Sequence, residues 1–586
     1  MSRGTAPRRG AHRRRALAVA AALLVGAPAL AQQQLPARID PARLPGQAPT
    51  PAPAPATAPP ATELPAQPRS GPPAGAENLR FTLTELRIDG ATAFTAEQLR
   101  PLYAARLGTE ISVADLYAMA DAITERYRAG GFLISRALVP AQRIDNGVAR
   151  LQVVEGFVSE VGLGPTPDAV LQARAERAVL GARPLTLRAL ERSILLLNDL
   201  PGVTAQGLIE PAPAGPVGAA RLSVTAESAR VWQGYVAVDN RGSRYVGPWQ
   251  ATVGGSVSSV IRAYDRVAFR VVGASPLKEL RYGEIGYETP IGADGWTIAA
   301  SAFVSRSDPG FTLSRFDTAG ESEGFSLGAS YPIIRTRAEN LRISIAFTPY
   351  NSRNDLFGRR DVSPAYEDDM RPLRAALAYD IADGWGGLNG ATVELSQGLN
   401  AMGASPEGRA NPSRPGAQSD FTRLVAEASR LQDLGMIADG LGLLALVRGQ
   451  WAFGNPLVAA EQFGVGGARI GRGYDPSEIA GDNGVAGTLE LQWTAGFAPS
   501  RYSFMREATI QPYLFWDAGV VTNAKGADTP SASLASTGAG VRLWLGDAFA
   551  AAIEVAKPLT RGLGTEVLSG SDGKDPRLFV SSVIRF

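Results

Sequence analysis

A glycine-rich stretch in the C-terminal part of the chain carries a cation that is suited to anchoring. Residues 466–484 read GGARIGRGYDPSEIAGDNG, with six glycines and with Arg472 between two of them. Glycine lets a backbone bend and approach a neighbour closely, and a guanidinium forms paired hydrogen bonds with anions. A phosphate-binding loop is the alternative, but no P-loop lysine and hydroxyl follow and the flanking residues favour strands. The stretch predicts a long, bendable loop that presents a cation.

Catalytic side chains are scarce in the rest of the sequence. The chain has no cysteine, and its only histidine is His12. Residues 1–31 hold six arginines and no acid, then a short apolar run that ends in Ala29-Leu30-Ala31, which predicts a cleaved signal peptide. Cleavage would remove His12, and with it the remaining source of His or Cys metal ligands, triad bases and thiol nucleophiles. We therefore expect no enzyme, no metal and no cofactor.

Charge and hydropathy narrow the remaining classes of protein. Removing the signal peptide takes six arginines from a chain of net charge +2, which leaves a mature chain of net charge −4. A nucleic-acid partner is not expected, because such proteins need clustered positive charge. No later stretch reaches about 18 consecutive apolar residues, the length of a membrane-spanning helix. An exported soluble protein and a transmembrane barrel, whose strands alternate, both remain.

The N-terminal half divides into a linker and two small α+β units. Residues 32–79 are rich in proline and alanine and predict an extended linker. Residues 80–158 predict a strand, two helices and two strands, with a helix capped by Ser112 and Asp115 and ended by Gly130-Gly131. Residues 159–229 appear as a repeat of this order, with helices near 168–178 and 187–197. One larger α+β domain is the alternative.

From about residue 230 the apolar period changes from helical to twofold. In ATVGGSVSSV, for example, Ala251, Val253 and Val257 fall on one face and Thr252 on the other. At about 22 residues per tilted strand with its connection, residues 230–586 hold about 16 strands of an antiparallel transmembrane β-barrel. A soluble sandwich also alternates, but the length favours the barrel. The fold prediction is therefore α+β domains followed by this barrel.

The first small unit resembles a known module. YRAGGFLISRALVPAQRIDNGVARLQVVEGFVSEV is similar to the polypeptide-transport-associated (POTRA) domain of the two-partner secretion outer-membrane transporters, the haemolysin secretion and activation proteins. The resemblance covers residues 80–586. The residues at the usual positions of the POTRA motif are Tyr127, Gly131, Phe132, Pro140, Gln142, Gly147, Glu155 and Gly156.

The glycine-rich stretch resembles that family's signature loop, which folds into the barrel lumen and here lies near 464–485. The tetrad reads Gly471-Arg472-Gly473-Tyr474, so the family's aliphatic position is glycine or has moved to Ile470. The resemblance implies that Arg472 pairs with the acid of an Asp-x-Gly motif on the barrel wall, supplied here by Asp517 and Gly519. The alternative is that Arg472 and Asp517 only help the barrel to fold.

The resemblance implies a transporter in the outer membrane of a two-membrane bacterium, with its POTRA domains in the periplasm. It would capture an unfolded exported partner, a β-helical adhesin or cytolysin, by strand addition at edges within 132–157 and 220–227. Outer-membrane lipid and the outer-membrane assembly machinery, which reads the terminal aromatic Phe586, are the further partners. Prolines at 36, 41 and 45 disfavour the plug helix that many members carry. A barrel-assembly insertase and a passive diffusion porin are the alternative functions.

Overall fold

The computed structural model describes residues 71–164, 168–228, 232–355, 366–409, 411–497, 508–524, 530–560 and 573–586. The predicted signal peptide and residues 32–70 of the predicted linker, including the three prolines that disfavour a plug helix, lie outside the described residues. Within these ranges every helix is too short or too polar to cross a bilayer.

The first small domain has a three-stranded mixed sheet with one long helix. Its sheet has the order β2-β5-β4, in which β2 is parallel and β4 antiparallel to β5, while β1 and β3 form a separate pair. The long helix starts as the sequence predicts, because Ser112 and Asp115 each bind the other's backbone N–H. The elements are β1 (Arg80–Thr82), β2 (Glu85–Asp89), α1 (Ala96–Leu99), β3 (Glu110–Ser112), α2 (Val113–Ala129), β4 (Arg136–Leu138) and β5 (Val148–Val154), with short 3-10 helices at Arg100–Leu102 and Ala104–Arg106.

The second small domain repeats the topology of the first. Its sheet has the order β6-β8-β7, with β6 parallel and β7 antiparallel to β8, and β6 runs across the predicted boundary between residues 158 and 159. Two helices cover the sheet around a core that includes Leu190, Leu197 and Leu222. The elements are β6 (Phe157–Leu163), α3 (Ala169–Val179), α4 (Leu187–Asn198), β7 (Val203–Pro211) and β8 (Ala219–Ser228).

One predicted edge for strand addition is wrong. Residues 220–227 lie in β8, which pairs with β6 on one side and with β7 on the other. The other predicted stretch, 132–157, contains the edge strand β4 and the central strand β5. Among the described strands, the three-stranded sheets of the two small domains therefore offer β2, β4, β6 and β7 as edges.

The C-terminal part is a closed antiparallel barrel of 16 strands, as predicted. Three of these strands are interrupted and so consist of two segments each: β15 with β16, β17 with β18, and β24 with β25. The segments are β9 (Trp232–Asp239), β10 (Trp249–Ser258), β11 (Arg266–Ser275), β12 (Arg281–Ile291), β13 (Trp296–Ser307), β14 (Ala319–Arg335), β15 (Glu339–Phe347), β16 (Tyr350–Asp355), β17 (Tyr366–Met370), β18 (Pro372–Ala382), β19 (Gly387–Gly398), β20 (Thr422–Asp433), β21 (Leu441–Trp451), β24 (Asn483–Trp493), β25 (Ala495–Phe497), β26 (Ala508–Thr522), β27 (Ser531–Leu545), β28 (Phe549–Pro558) and β29 (Arg577–Arg585).

The barrel strands are apolar outside and polar inside. On β10, Trp249, Val253 and Val257 are exposed on the outer face, whereas Gln250 and Thr252 between them are buried. The same alternation recurs on the other strands, as expected when one face meets lipid and the other meets a polar interior. The inward-facing side chains of the barrel are therefore the ones that can contact a loop in the lumen.

The barrel closes where its last strand meets its first. β29 pairs with β9, and beyond this ladder the backbone N–H and C=O of Phe586 each bond Gly234 at 2.9 Å. The Phe586 ring packs on Trp232, with 5.8 Å between the ring centroids. The predicted terminal aromatic residue thus lies at the closing seam.

Candidate functional site: the loop inside the barrel

The segment between β21 and β24, residues 452–482, is folded into the barrel. Within it β22 (Phe463–Val465) and β23 (Ile479–Gly481) pair as a small antiparallel hairpin. Its tip contacts side chains such as Thr488 and Glu490, which alternate along β24 with the outward-facing Leu489 and Leu491. The loop therefore lies in the lumen, while residues 483–485 of the predicted stretch 464–485 belong to strand β24.

Arg472 is surrounded by acceptors on the barrel wall. Its Nε and Nη2 bind the two carboxylate oxygens of Asp517 at 3.1 and 2.9 Å, and its Nη1 lies 2.6 Å from Glu490. Nη2 also donates to Thr488 at 2.8 Å, and the guanidinium carbon lies 3.6 Å from the ring centre of Phe515. A buried cation needs this kind of full pairing, because an unpaired one would be costly to desolvate. Arg472 is 4% exposed.

Asp517 holds the backbone of the loop tip as well as its side chain. The backbone N–H groups of Gly471 and Arg472 donate to one carboxylate oxygen of Asp517 at 3.0 and 2.9 Å, and Ser536 reaches the same oxygen at 3.4 Å. One wall carboxylate thus fixes both the position and the direction of the tip. The structure brings these two predicted residues together, while their role in transport stays a prediction.

The acidic wall is larger than the sequence indicates. Glu490 also binds Arg542 at 2.6 and 3.0 Å, and Glu554 lies 3.8 Å from Arg472 while accepting from Tyr513 at 2.7 Å and from Arg241 at 3.0 Å. Sequence reasoning missed Glu490, Arg542 and Glu554. The available signal was a charged residue at an inward position of a strand whose neighbours face lipid.

The other residues of the signature pack closely around the tip. The Tyr474 hydroxyl donates to the backbone carbonyl of Ala535 at 2.9 Å and accepts from the backbone N–H of Thr560 at 3.0 Å. A Cβ on Gly473 would come within 2.9 Å of the backbone nitrogen of Pro558, and one on Gly519 within 2.7 Å of Val465. Both glycines therefore permit the close approach of loop and wall.

The departure from the family tetrad has a local reason. Gly471 has φ of +81°. A residue with an aliphatic side chain would be strained in this backbone conformation. Ile470 instead supplies the apolar contact, because it lies in a buried cluster with Phe463, Tyr474 and Leu534. The aliphatic side chain of the signature is thus supplied one residue earlier in the sequence, by Ile470.

The POTRA-motif residue Glu155 is a hydrogen-bond hub of the first domain. Its carboxylate accepts from the Tyr127 hydroxyl at 2.7 Å, from the backbone N–H of Thr92 and Ala93 at 2.7 and 2.8 Å, and from the Thr92 hydroxyl. Burial acts to raise the pKa of Glu155, but these hydrogen bonds together hold the pKa below its ordinary value. Burial and the neighbouring carboxylate raise the pKa of Tyr127.

The motif's Gly131, Phe132 and Gly156 lie near the junction between the two small domains. The carbonyls of Gly131 and Gly156 accept from the N–H groups of Leu187 and Leu185, each at 2.8 Å. Phe132 packs edge-on against Tyr127, with 5.7 Å between the ring centroids. These residues therefore connect the first domain's core to the start of α4.

The remaining motif residues shape the connection between β4 and β5. The Gln142 side chain donates to the Arg150 carbonyl at 2.8 Å and accepts from its N–H at 2.7 Å, and it also reaches the Pro140 carbonyl at 3.4 Å. Gly147 has φ of +75° in the turn before β5. The Gln142 amide thus pairs with β5 where β4 does not extend.

In the described part of the chain, no group of three or more His, Cys, Asp or Glu side chains is arranged to hold a metal ion. The buried acids at the loop tip are occupied by arginine and backbone donors. The arrangement is suited to holding the loop against the barrel wall.

Comparison with known proteins connects this geometry to a family. The family model "Haemolysin secretion/activation protein ShlB/FhaC/HecB" matches residues 218–543, and the model "POTRA domain, ShlB-type" matches residues 81–156. The heme/hemopexin transporter protein HuxB of Haemophilus influenzae (strain 86-028NP) is 22% identical over 523 residues, which cover 87% of this chain and 88% of HuxB. The outer membrane transporter CdiB of Dickeya dadantii (strain 3937) is 23% identical over 476 residues, 79% of this chain and 81% of CdiB.

Solved structures share the fold. CdiB from Escherichia coli matches with a TM-score of 0.71 and 20% identity, over 88% of this chain and 92% of CdiB. CdiB from Acinetobacter baumannii matches with a TM-score of 0.62 and 16% identity, over 90% of this chain and 95% of its own. Since the first family model covers more than half of the sequence, the chain belongs to the haemolysin secretion/activation protein family, and it is an outer-membrane transporter of two-partner secretion with its POTRA domains in the periplasm.

Proposed function

We propose that the secreted partner crosses this barrel as an unfolded chain, and that the loop held by Arg472 must leave the wall to let it pass. The supporting observation is the kind of contact that holds the tip. Arg472 is bound by Asp517 and Glu490 through hydrogen bonds and ion pairs in a polar lumen. Such contacts are directional, and water or the polar backbone of an entering chain can replace them.

The periplasmic end of this path would be two POTRA domains, at residues 80–158 and 159–229, ahead of the barrel at 230–586. We propose that the partner adds a strand to one of their sheet edges, where backbone hydrogen bonds give affinity without a fixed sequence. β7 is the longest of the described edge strands, with nine residues that pair only with β8. It replaces 220–227 as our candidate in the second domain.

The partner itself is proposed by analogy. The similar proteins include a heme/hemopexin transporter and the outer membrane transporter CdiB. We propose a partner of the β-helical adhesin or cytolysin type, which folds outside the cell and cannot diffuse back. We also propose that the terminal Phe586 is read by the assembly machinery when the barrel is inserted into outer-membrane lipid.

A disulfide between loop and wall tests whether the loop must move. A Cβ on Gly519 would lie 2.7 Å from Cγ1 of Val465, which matches the closeness that a disulfide between these positions requires. The chain has no cysteine of its own, so Val465→Cys with Gly519→Cys gives a single pair. We expect the oxidised protein to stop secreting its partner and the reduced protein to secrete it.

The same molecule before and after reduction is the matched control, because any packing effect of the two cysteines is common to both states. Barrel folding is read by heat-modifiability on gels in each state. Full secretion by the oxidised protein would overturn the proposal and leave the loop as a fixed part of the barrel. The lock is sharper than exchanging Arg472 and Asp517, because an arginine at 517 would face the two backbone N–H groups that Asp517 now accepts.

A further inference from the structure

A second ion cluster lies under the first limb of the luminal loop, eleven residues before Arg472. Glu461 is fully buried there. One of its carboxylate oxygens lies 2.7 Å from Arg374 on β18, and the other lies 2.6 Å from Arg423 on β20. Both arginines are almost completely buried as well. Buried ion pairs therefore tie the loop to the barrel wall at Glu461 as well as at Arg472, in addition to the pairs that Asp475 forms with Arg577 and Arg244.

The wall also binds the backbone at Glu461. Its carbonyl accepts from Arg423 at 3.1 Å and from the Gln450 side chain at 2.9 Å, while the Tyr350 hydroxyl reaches its carboxylate at 3.3 Å. Ser396 lies between the two arginines and accepts from Arg374 at 2.9 Å. The wall therefore holds Glu461 through both its side chain and its backbone, which fixes its position. Asp517 holds Arg472 at the tip through side chain and backbone in a similar way.

The two anchors have opposite polarity. At Glu461 the loop supplies the acid and the wall supplies two arginines, whereas at Arg472 the loop supplies the cation and the wall supplies Asp517 and Glu490. Among the described residues, the hydrogen bonds and ion pairs of the two anchors have no wall residue in common. Loss of one anchor therefore leaves all the partners of the other in place.

We propose that Glu461 is a positioning residue that holds the first limb of the loop against β18 and β20 independently of Arg472. One limb of the loop can then leave the wall while the other remains attached. This inference rests on the proposed function only in assigning the release to transport, since the independence of the two anchors is a property of the resting protein.

Two buried serines allow each anchor to be observed separately. Ser396 lies beneath the Glu461 anchor and Ser536 beneath the Arg472 anchor, and both are fully buried. Because the chain has no cysteine, Ser396→Cys and Ser536→Cys each create a single thiol whose labelling by a water-soluble maleimide reports local opening. In a Glu461→Lys background we expect about 100-fold faster labelling at position 396 and an unchanged rate at 536, because a buried ion pair is replaced by repulsion. In an Arg472→Gln background we expect faster labelling at 536 alone.

The matched control inverts a charge at an exposed pair of the same loop and wall. Glu427 binds Arg469 at 2.6 Å, but Arg469 is 63% exposed, so Arg469→Glu is expected to leave both labelling rates unchanged. Every variant must keep the heat-modifiable barrel. If Glu461→Lys does not fold, the test is read on Glu461→Gln, for which faster labelling at 396 alone is still expected.

Equal acceleration at 396 and 536, or none at 396, would overturn the inference, because the loop would then open as one unit or not depend on Glu461. Labelling is measured without the secreted partner. The inference can therefore fail while the disulfide test succeeds, and the reverse.

Discussion

The two small domains have the same topology but are held in place differently. In the first domain, β5 lies between the parallel strand β2 and the antiparallel strand β4. In the second domain, β8 lies in the same way between β6 and β7. The first domain is organised around the Glu155 carboxylate. The second is tied to the barrel instead. A shared fold thus does not determine which domain is fixed to the membrane part.

The contacts between the second domain and the barrel come from its helices. Arg192 donates to the carbonyls of Pro332 and Asp294 at 2.8 and 3.0 Å, and Asp199 forms a bidentate pair with Arg335 at 2.6 and 2.9 Å. These partners lie in or beside the turns that follow β12 and β14. The second domain therefore presents its edge strand β7 from a position fixed relative to the barrel entrance.

The largest expected effect is on the stability of the first domain, when the Glu155 carboxylate is removed. Glu155→Ala leaves the Tyr127 hydroxyl and the N–H groups of Thr92 and Ala93 without their acceptor, at a cost of roughly 3 kcal/mol or more. We expect hydrogen exchange of the full chain to accelerate across β2, β5 and α2 and to stay unchanged in α3 and α4. Glu85→Ala is the control, because its pair with Arg87 is half exposed. Equal loss of protection in both domains would mean that they fold as one unit.

The next effect concerns the attachment of the second domain. Arg192→Ala removes donors to two barrel carbonyls, which we expect to weaken docking by about 2 kcal/mol. Distances between spin labels on α4 and on the barrel should broaden, while hydrogen exchange inside both domains stays as in the wild type. A variant that unfolds the second domain would contradict this, because Arg192 would then belong to the core of the domain.

The stability of the first domain should be more sensitive to acid than that of the second domain. A carboxylate whose folded pKa lies below its ordinary value contributes stability that is present above that value and is lost as the pH falls. For Glu155 the ordinary value is 4.5, so we expect the first domain to lose stability below about pH 4.5. Protection factors from hydrogen exchange between about pH 7 and pH 3 measure this loss. Glu155→Gln should make the first domain less stable at pH 7 but less sensitive to acid, and an unchanged acid response would contradict the assignment.

The sequence predicted the barrel because lipid imposes a period of two on every strand, and turn spacing limits the strand number. It predicted the Arg472–Asp517 pair through the family signature. It missed Glu490, Glu554 and Glu461, because which inward residues meet depends on the pairing of distant strands and on the path of a 31-residue loop. The predicted edge at 220–227 was wrong for a related reason. β8 comes last in its domain but inserts between β6 and β7, so order along the chain does not give order in the sheet.

The smallest expected effect comes from a solvent-exposed ion pair between the second domain and the barrel. Arg188 lies 3.0 Å from Glu339, but its side chain is 72% exposed, whereas Arg335 in the pair with Asp199 is 22% exposed. Water and salt screen an exposed pair, so Arg188→Ala should weaken docking by at most about 1 kcal/mol, and less at high salt. Arg335→Ala should broaden the distances between spin labels on α4 and the barrel more than Arg188→Ala does. If Arg188→Ala had the larger effect, docking would depend on long-range charge attraction rather than on the direct hydrogen bonds of Arg192 and Asp199.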